Sequence, residues 1–88
     1  VSTRRANHAV AVGLRYRDGK ADTPAVEVKG EALLADQIVR LARRYGVPVI
    51  EDRELAKALH SVELDHEIPP SLFKPVAIIL NALKKVFS

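Results

Sequence analysis

The sequence predicts a small α/β domain, a mixed β-sheet of three to four strands wrapped by three to four helices. Two observations carry that expectation. Early in the chain apolar residues recur at every second position, and further on they recur every three to four. The segments then follow one another as strand, strand, helix, strand, helix, a brief strand and a last helix. That order suits a single sheet covered by helices.

The first strand is expected over residues 9–16, where Val10, Val12, Leu14 and Tyr16 alternate with small or charged residues. Gly13 lies inside it and marks a bulge or a close backbone approach. Arg17-Asp18-Gly19-Lys20 has the chemistry of a turn. Residues 25–29 form the second strand, with Pro24 at its start because proline cannot donate to a ladder. Gly30 is expected to break it, and a helix follows over about 31–45. Leu34, Ile38, Leu41 and Tyr45 lie on one face of that helix. Acidic Glu31 and Asp36 come early and Arg40, Arg43 and Arg44 late, which complements the helix dipole, and Gly46 is placed to cap the end. A third strand is expected at residues 47–50. Asp52 caps a short helix over 53–60, with Leu55, Ala56 and Leu59 inward. A fourth, brief strand is expected near 62–64, and Pro69-Pro70 opens the last helix, which ends near Phe87.

Composition narrows the function classes. A chain of 88 residues is one domain near the lower limit of independent folding, and 48% apolar content supplies one modest core. We read residues 1–8 as a loose basic arm and 9–88 as the folded module. There is no cysteine, hence no disulfide and no thiolate metal site, which fits a reducing compartment. Net charge +3 is mild, and with no Trp and few other aromatics a nucleic-acid platform is not expected. The Arg40, Arg43 and Arg44 cluster keeps a basic nucleic-acid-binding domain as the alternative reading. The longest apolar run, residues 76–80, falls far short of the roughly 18 needed to span a bilayer. No signal peptide is visible at the start; the chain opens on Val, as a trimmed product or a fragment does.

Catalytic constellations are missing. His8, His60 and His66 form no metal-ligand spacing, so no metal and no cofactor is expected. No serine sits in a nucleophile elbow, and the four glycines do not cluster into a phosphate-binding loop. Glu51-Asp52 and the Glu63, Asp65 and Glu67 group read as solvated acidic faces. The informative oddity is the last helix. Five consecutive apolar residues cover more than one face. Val76, Ile79, Leu83 and Val86 can fill a core while Ala77 and Leu80 point elsewhere, and an exposed apolar face usually marks a binding site. Docking of a partner peptide, not catalysis, is the expectation.

Three strings in register also resemble one family. Thr23-Pro24-Ala25-Val26-Glu27-Val28-Lys29-Gly30 is similar to the Ala-Pro-x-Val-x-x-Lys-Gly segment of the FlhB/YscU type III export switches. Val47-Pro48-Val49-Ile50-Glu51 with Leu55-Ala56-Lys57-Ala58-Leu59, and Ile68-Pro69-Pro70-Ser71-Leu72-Phe73 with Val76-Ala77, resemble two further stretches of it. The resemblance implies the cytoplasmic C-terminal domain of that family, here as a stand-alone form. Such a domain docks short apolar export signals of flagellar rod and hook substrates, or export-gate partners, and is recruited to the export apparatus at the inner membrane. By the same resemblance the signal-binding positions are Thr23, Pro24, Ala77 and Leu80. Thr23 departs from the family's Ala.

The family's self-cleavage at Asn-Pro-Thr-His is not expected. Those four positions fall on Ala6, Asn7, His8 and Ala9 without a gap, or on Arg5, Ala6, Asn7 and His8 if one strand residue is extra. Neither register holds an Asn-Pro bond, and the only asparagines are Asn7 and Asn81. Pro75 predicts a kink in the last helix, or a helix that begins near Lys74.

Overall fold

The computed structural model describes residues 6–16 and 23–87 of the chain, and the side chains of 84–87 are outside that description. The turn expected at residues 17–20 and the Val86 side chain therefore lie outside the described residues. Two antiparallel strands, β1 (Val10–Arg15) and β2 (Ala25–Glu31), form the sheet. Three helices follow: α1 (Leu33–Arg44), α2 (Arg53–His60) and α3 (Phe73–Phe87). A single 3-10 turn, Pro70–Leu72, leads into α3.

The sheet is smaller than expected. Among the described residues it has two strands instead of three to four. The third strand expected at 47–50 forms no ladder: Pro48 has no N–H to give, and Val47 donates back to the Ala42 carbonyl at 2.8 Å. The segment is held by its side chains, with Val49 packed against buried Ala11, Ala35 and Val39. The fourth strand expected near 62–64 is a turn, in which the Asp65 backbone takes φ 66. Its pairing appears slightly later. Ala25 bridges Glu67, the Ile68 N–H donates to the Pro24 carbonyl at 2.9 Å, and the Val26 N–H donates to the His66 carbonyl at 3.0 Å.

Gly13 marks a bulge, as expected, but the close approach there is by a side chain and not by backbone. The ladder slips between Gly13 and Leu14, the extra residue being Glu27 on β2. A Cβ on Gly13 would also stand 2.5 Å from Val28 Cγ1. Gly30, by contrast, does not end its strand. It is buried within β2 because a Cβ there would meet Leu34 Cγ at 2.6 Å. Glycine here serves close packing of α1 on the strand, and the turn into the helix is made by Ala32 at φ 54.

β1 lies between two apolar clusters. Ala11 on one face packs with Ala35 and Val39 of α1. Val12 and Leu14, which point to the opposite face, pack against Leu59, Ile68 and Val76. Small Ala35, fully buried, lets α1 approach the strand closely, so α1 turns its Ala35–Val39 side inward. Of the face anticipated from Leu34, Ile38, Leu41 and Tyr45, only Ile38 packs on the core cluster, whereas Leu34, Leu41 and Tyr45 are exposed, Tyr45 at 73%.

The helix ends follow their sequence signals. Gly46 at φ 73 closes α1 in a Schellman motif, with Gly46 N–H on the Arg43 carbonyl and Val47 N–H on the Ala42 carbonyl. Asp52 Oδ1 accepts from the Leu55 N–H at 3.1 Å and caps α2. Pro75 produces no interior defect. It is the third residue of α3, within the first turn, where backbone N–H groups have no intrahelical acceptor.

Candidate functional site

The sequence-predicted site residues lie at two places in the fold. Thr23 and Pro24 are half-buried at the entry to β2. Ala77 is exposed and Leu80 half-buried on α3. Pro24 reaches Leu80 through Ile68: its carbonyl accepts the Ile68 N–H, and buried Ile68 packs in the cluster against which Leu80 rests. Leu80 therefore leans on the core, more than was expected for a second face. Among the described side chains of α3, the exposed apolar ones are Phe73, Ala77, Ile78 at 61% exposure and Ala82.

Leu80 also lines a groove. The groove, of about 440 Å³, runs between β1 and residues 47–53. Val76, Ile79, Leu80 and Leu83 of α3 line it, whereas Thr23, Pro24 and Ala77 do not.

A polar cluster closes one end of this groove. Asp36, in the first turn of α1, accepts the Asn7 N–H on Oδ2 and the His8 N–H on Oδ1, both at 2.9 Å. The His8 ring donates through Nδ1 to Asp36 Oδ1 at 2.8 Å, and its Nε2 lies 3.3 Å from Glu51 Oε1. Arg43 reaches the same Glu51 oxygen at 3.5 Å. The bond to Asp36, then that to Glu51, holds the His8 pKa above its ordinary value. The Asn7 N–H, followed by the His8 ring, holds Asp36 below its own. Residues 1–5 lie outside the described residues, so of the degenerate cleavage positions Ala6, Asn7, His8 and Ala9 can be placed and Arg5 cannot. The slip at Gly13 adds its residue to β2, not to β1. It does not supply the extra first-strand residue that the shifted register requires.

Sequence reasoning overlooked Lys29. Its ammonium donates to the His60 carbonyl at 2.9 Å and the Val62 carbonyl at 2.8 Å. A cation is thereby fixed at the C-terminal end of α2, tying that helix to β2. The Lys-Gly pair of the quoted motif thus has two structural tasks, one capping α2 and one admitting α1. A lysine midway along a half-buried strand was the available signal.

The remaining charged groups are dispersed. Arg43 is engaged by Glu51, and the Arg44 guanidinium lies 5.9 Å from the Tyr45 ring centroid. Among the described residues no three His, Asp or Glu side chains gather as metal ligands, and no helix is long and apolar enough to cross a membrane.

The chain matches the FlhB HrpN YscU SpaS Family over residues 7–83. It belongs to that family. The flagellar biosynthetic protein FlhB of Aquifex aeolicus is 40% identical over 84 residues, covering 90% of this chain but 24% of that protein. Protein YlqH of Bacillus subtilis is 36% identical over 76 residues, covering 86% of this chain and 82% of YlqH. The chain thus spans about a quarter of the first relative and most of the second. The crystal structure of the PscU C-terminal domain superposes with a TM-score of 0.78 at 37% identity, covering 88% of this chain and 98% of that one. Relatives in the FlhB family include flagellar biosynthetic proteins and a secretion-system apparatus protein. The fold described here is that of the family's C-terminal domain.

Proposed function

We propose that this chain is a non-cleaving docking module of a flagellar type III export apparatus. It binds the short apolar export signals of rod or hook substrates, or export-gate partners, at Thr23, Pro24, Ala77 and Leu80. The observation that carries the reading is the Pro24–Ile68–Leu80 connection. It links the start of β2 to Leu80 of α3, the helix that also carries exposed Ala77 and Ile78, and so supports the reading. Docking a short apolar segment on folded elements costs the protein little ordering entropy. The module acts in the cytoplasm and meets the inner membrane through the export apparatus. It performs no self-cleavage, since residues 1–88 contain no Asn-Pro bond.

The test is calorimetric titration with a synthetic peptide carrying a flagellar hook-type export signal. Binding is expected, and Ala77→Asp is expected to weaken it about tenfold or more by burying an unpaired carboxylate. Leu80→Asp should do the same, with circular dichroism reporting whether the fold survives. Unchanged binding in a folded Ala77→Asp protein would place the signal elsewhere.

A further inference from the structure

We propose that the groove between β1 and residues 47–53 is a strand-binding site. Its occupant is an extended, uninterruptedly apolar segment of a partner polypeptide. The inference shares with the docking reading that the ligand is an apolar stretch of polypeptide, and Leu80 is the one residue common to both surfaces.

The groove meets β1 at its edge. Every residue from Asn7 to Leu14 lines it, although successive side chains of a strand point to opposite faces. A cavity against one face would touch alternate residues, whereas one along the edge touches all of them. β1 pairs with β2 on one side, and among the described residues nothing pairs with its other side. The opposite bank, residues 47–53, is likewise lined without interruption. Along it, Val49, Ile50 and Glu51 make no backbone hydrogen bond to the described residues. Two rows of unmatched backbone donors and acceptors thus flank one trough. An extended peptide is the ligand class that satisfies both rows at once.

The walls specify the side chains. On the α1 side stand Ile38, Val39 and Ala42, and on the other stand Leu59, Ile79 and Leu83. Alternate side chains of an inserted strand would enter these two apolar walls in turn. A strand covered on both faces is a continuous apolar run rich in β-branched residues, not an alternating one. At about 3.3 Å per residue, an edge spanning residues 10–14 accommodates roughly four to five of them. This chain has none to spare. Its apolar runs of four or more residues, 9–12, 32–35 and 76–80, are already built into β1, α1 and α3. The occupant therefore comes from outside these residues. Its insertion would give residues 47–50 the ladder partner they lack.

The probe is a capped synthetic peptide of five consecutive Val and Ile residues flanked by lysines, added to the full chain. Backbone amide exchange read by NMR is expected to slow at alternate residues of 10–14 and at residues 49–51. A second peptide, N-methylated at alternate amides, keeps the side chains but loses donors, and should bind about tenfold more weakly or worse. Equal affinity of the two peptides would overturn strand addition. So would protection confined to Thr23, Ala77 and Ile78, or no binding at millimolar peptide. Dimerisation of the protein alone, with the 10–14 amides protected, would assign the edge to a second copy and refute a partner polypeptide. Because the docking reading is tested by Ala77→Asp and this one by β1 exchange, either can fail without the other.

Discussion

The Asp36 carboxylate grips His8 twice, accepting its backbone N–H at 2.9 Å and its ring Nδ1–H at 2.8 Å. One side chain at the start of α1 thereby anchors the entry to β1, where the carboxylate also profits from the helix dipole. In the folded chain the His8 pKa is raised from 6.5, so its contribution is fully present below about pH 6.5 and fades as pH climbs through the raised value. The Asp36 pKa is lowered from 3.8, so its contribution is present above that pH and fades as pH falls through the lowered value. The anchor is strongest between these limits. Thermal melts of wild type and His8→Gln should differ most near pH 5 and converge by about pH 9. An NMR titration of the His8 ring with a midpoint at or below 6.5 would contradict the pairing.

Lys29→Met keeps the aliphatic stem but removes both bonds to the carbonyls that end α2. Chemical denaturation should show a loss of about 1–3 kcal/mol, the size of charge-assisted hydrogen bonds in a half-buried setting. Amide exchange should quicken first in α2. A neutral result would mean that water replaces the ammonium at no cost.

Two glycines separate backbone from packing effects. Nothing stands within 4 Å of a Cβ added at Gly46, yet its φ is 73. Gly46→Ala should therefore cost about 1 kcal/mol through the backbone alone. Gly30→Ala drives a methyl into Leu34 and Ile38 and should cost about 1–3 kcal/mol through overpacking. Leu34→Ala is expected to rescue Gly30→Ala and to leave Gly46→Ala unaffected, measurable as a double-mutant cycle.

Leu59, 5% exposed, joins the cluster that supports Ile68, Val76 and Leu80. Leu59→Ala should destabilise the domain by about 2–4 kcal/mol in urea denaturation. A much smaller loss would show that the cluster closes over the gap.

Intact-mass spectrometry during long incubation should show one species. Cleavage of the family's type requires the chain to break before proline, and Asn7 precedes His8 while Asn81 precedes Ala82. Two fragments breaking at either asparagine would refute the non-cleaving reading.

Local chemistry was readable where neighbours in sequence decide the outcome. The Asp52 cap, the Gly46 terminus, the period-two run of β1 and the proline-led entry to α3 depend on hydrogen bonds and dihedrals within a few residues. The resemblance in three strings likewise anticipated the family to which the chain belongs. What stayed hidden depends on partners distant along the chain. Residues 47–50 have the composition of a strand, but a strand exists only where another backbone lies alongside it. Periodicity marked an apolar stripe on α1, but the close approach allowed by Ala35 and Gly30 selected which side of it faces the sheet. Likewise, the Lys29 bonds span more than 30 residues of sequence, and the His8–Asp36 pair spans 28. The sequence by itself determined the helices, their ends other than the start of α1, and the family. Tertiary structure decided the strand count, the exposed faces and the open edge of β1, because burial and ladder pairing belong to assembled elements and to none of them alone.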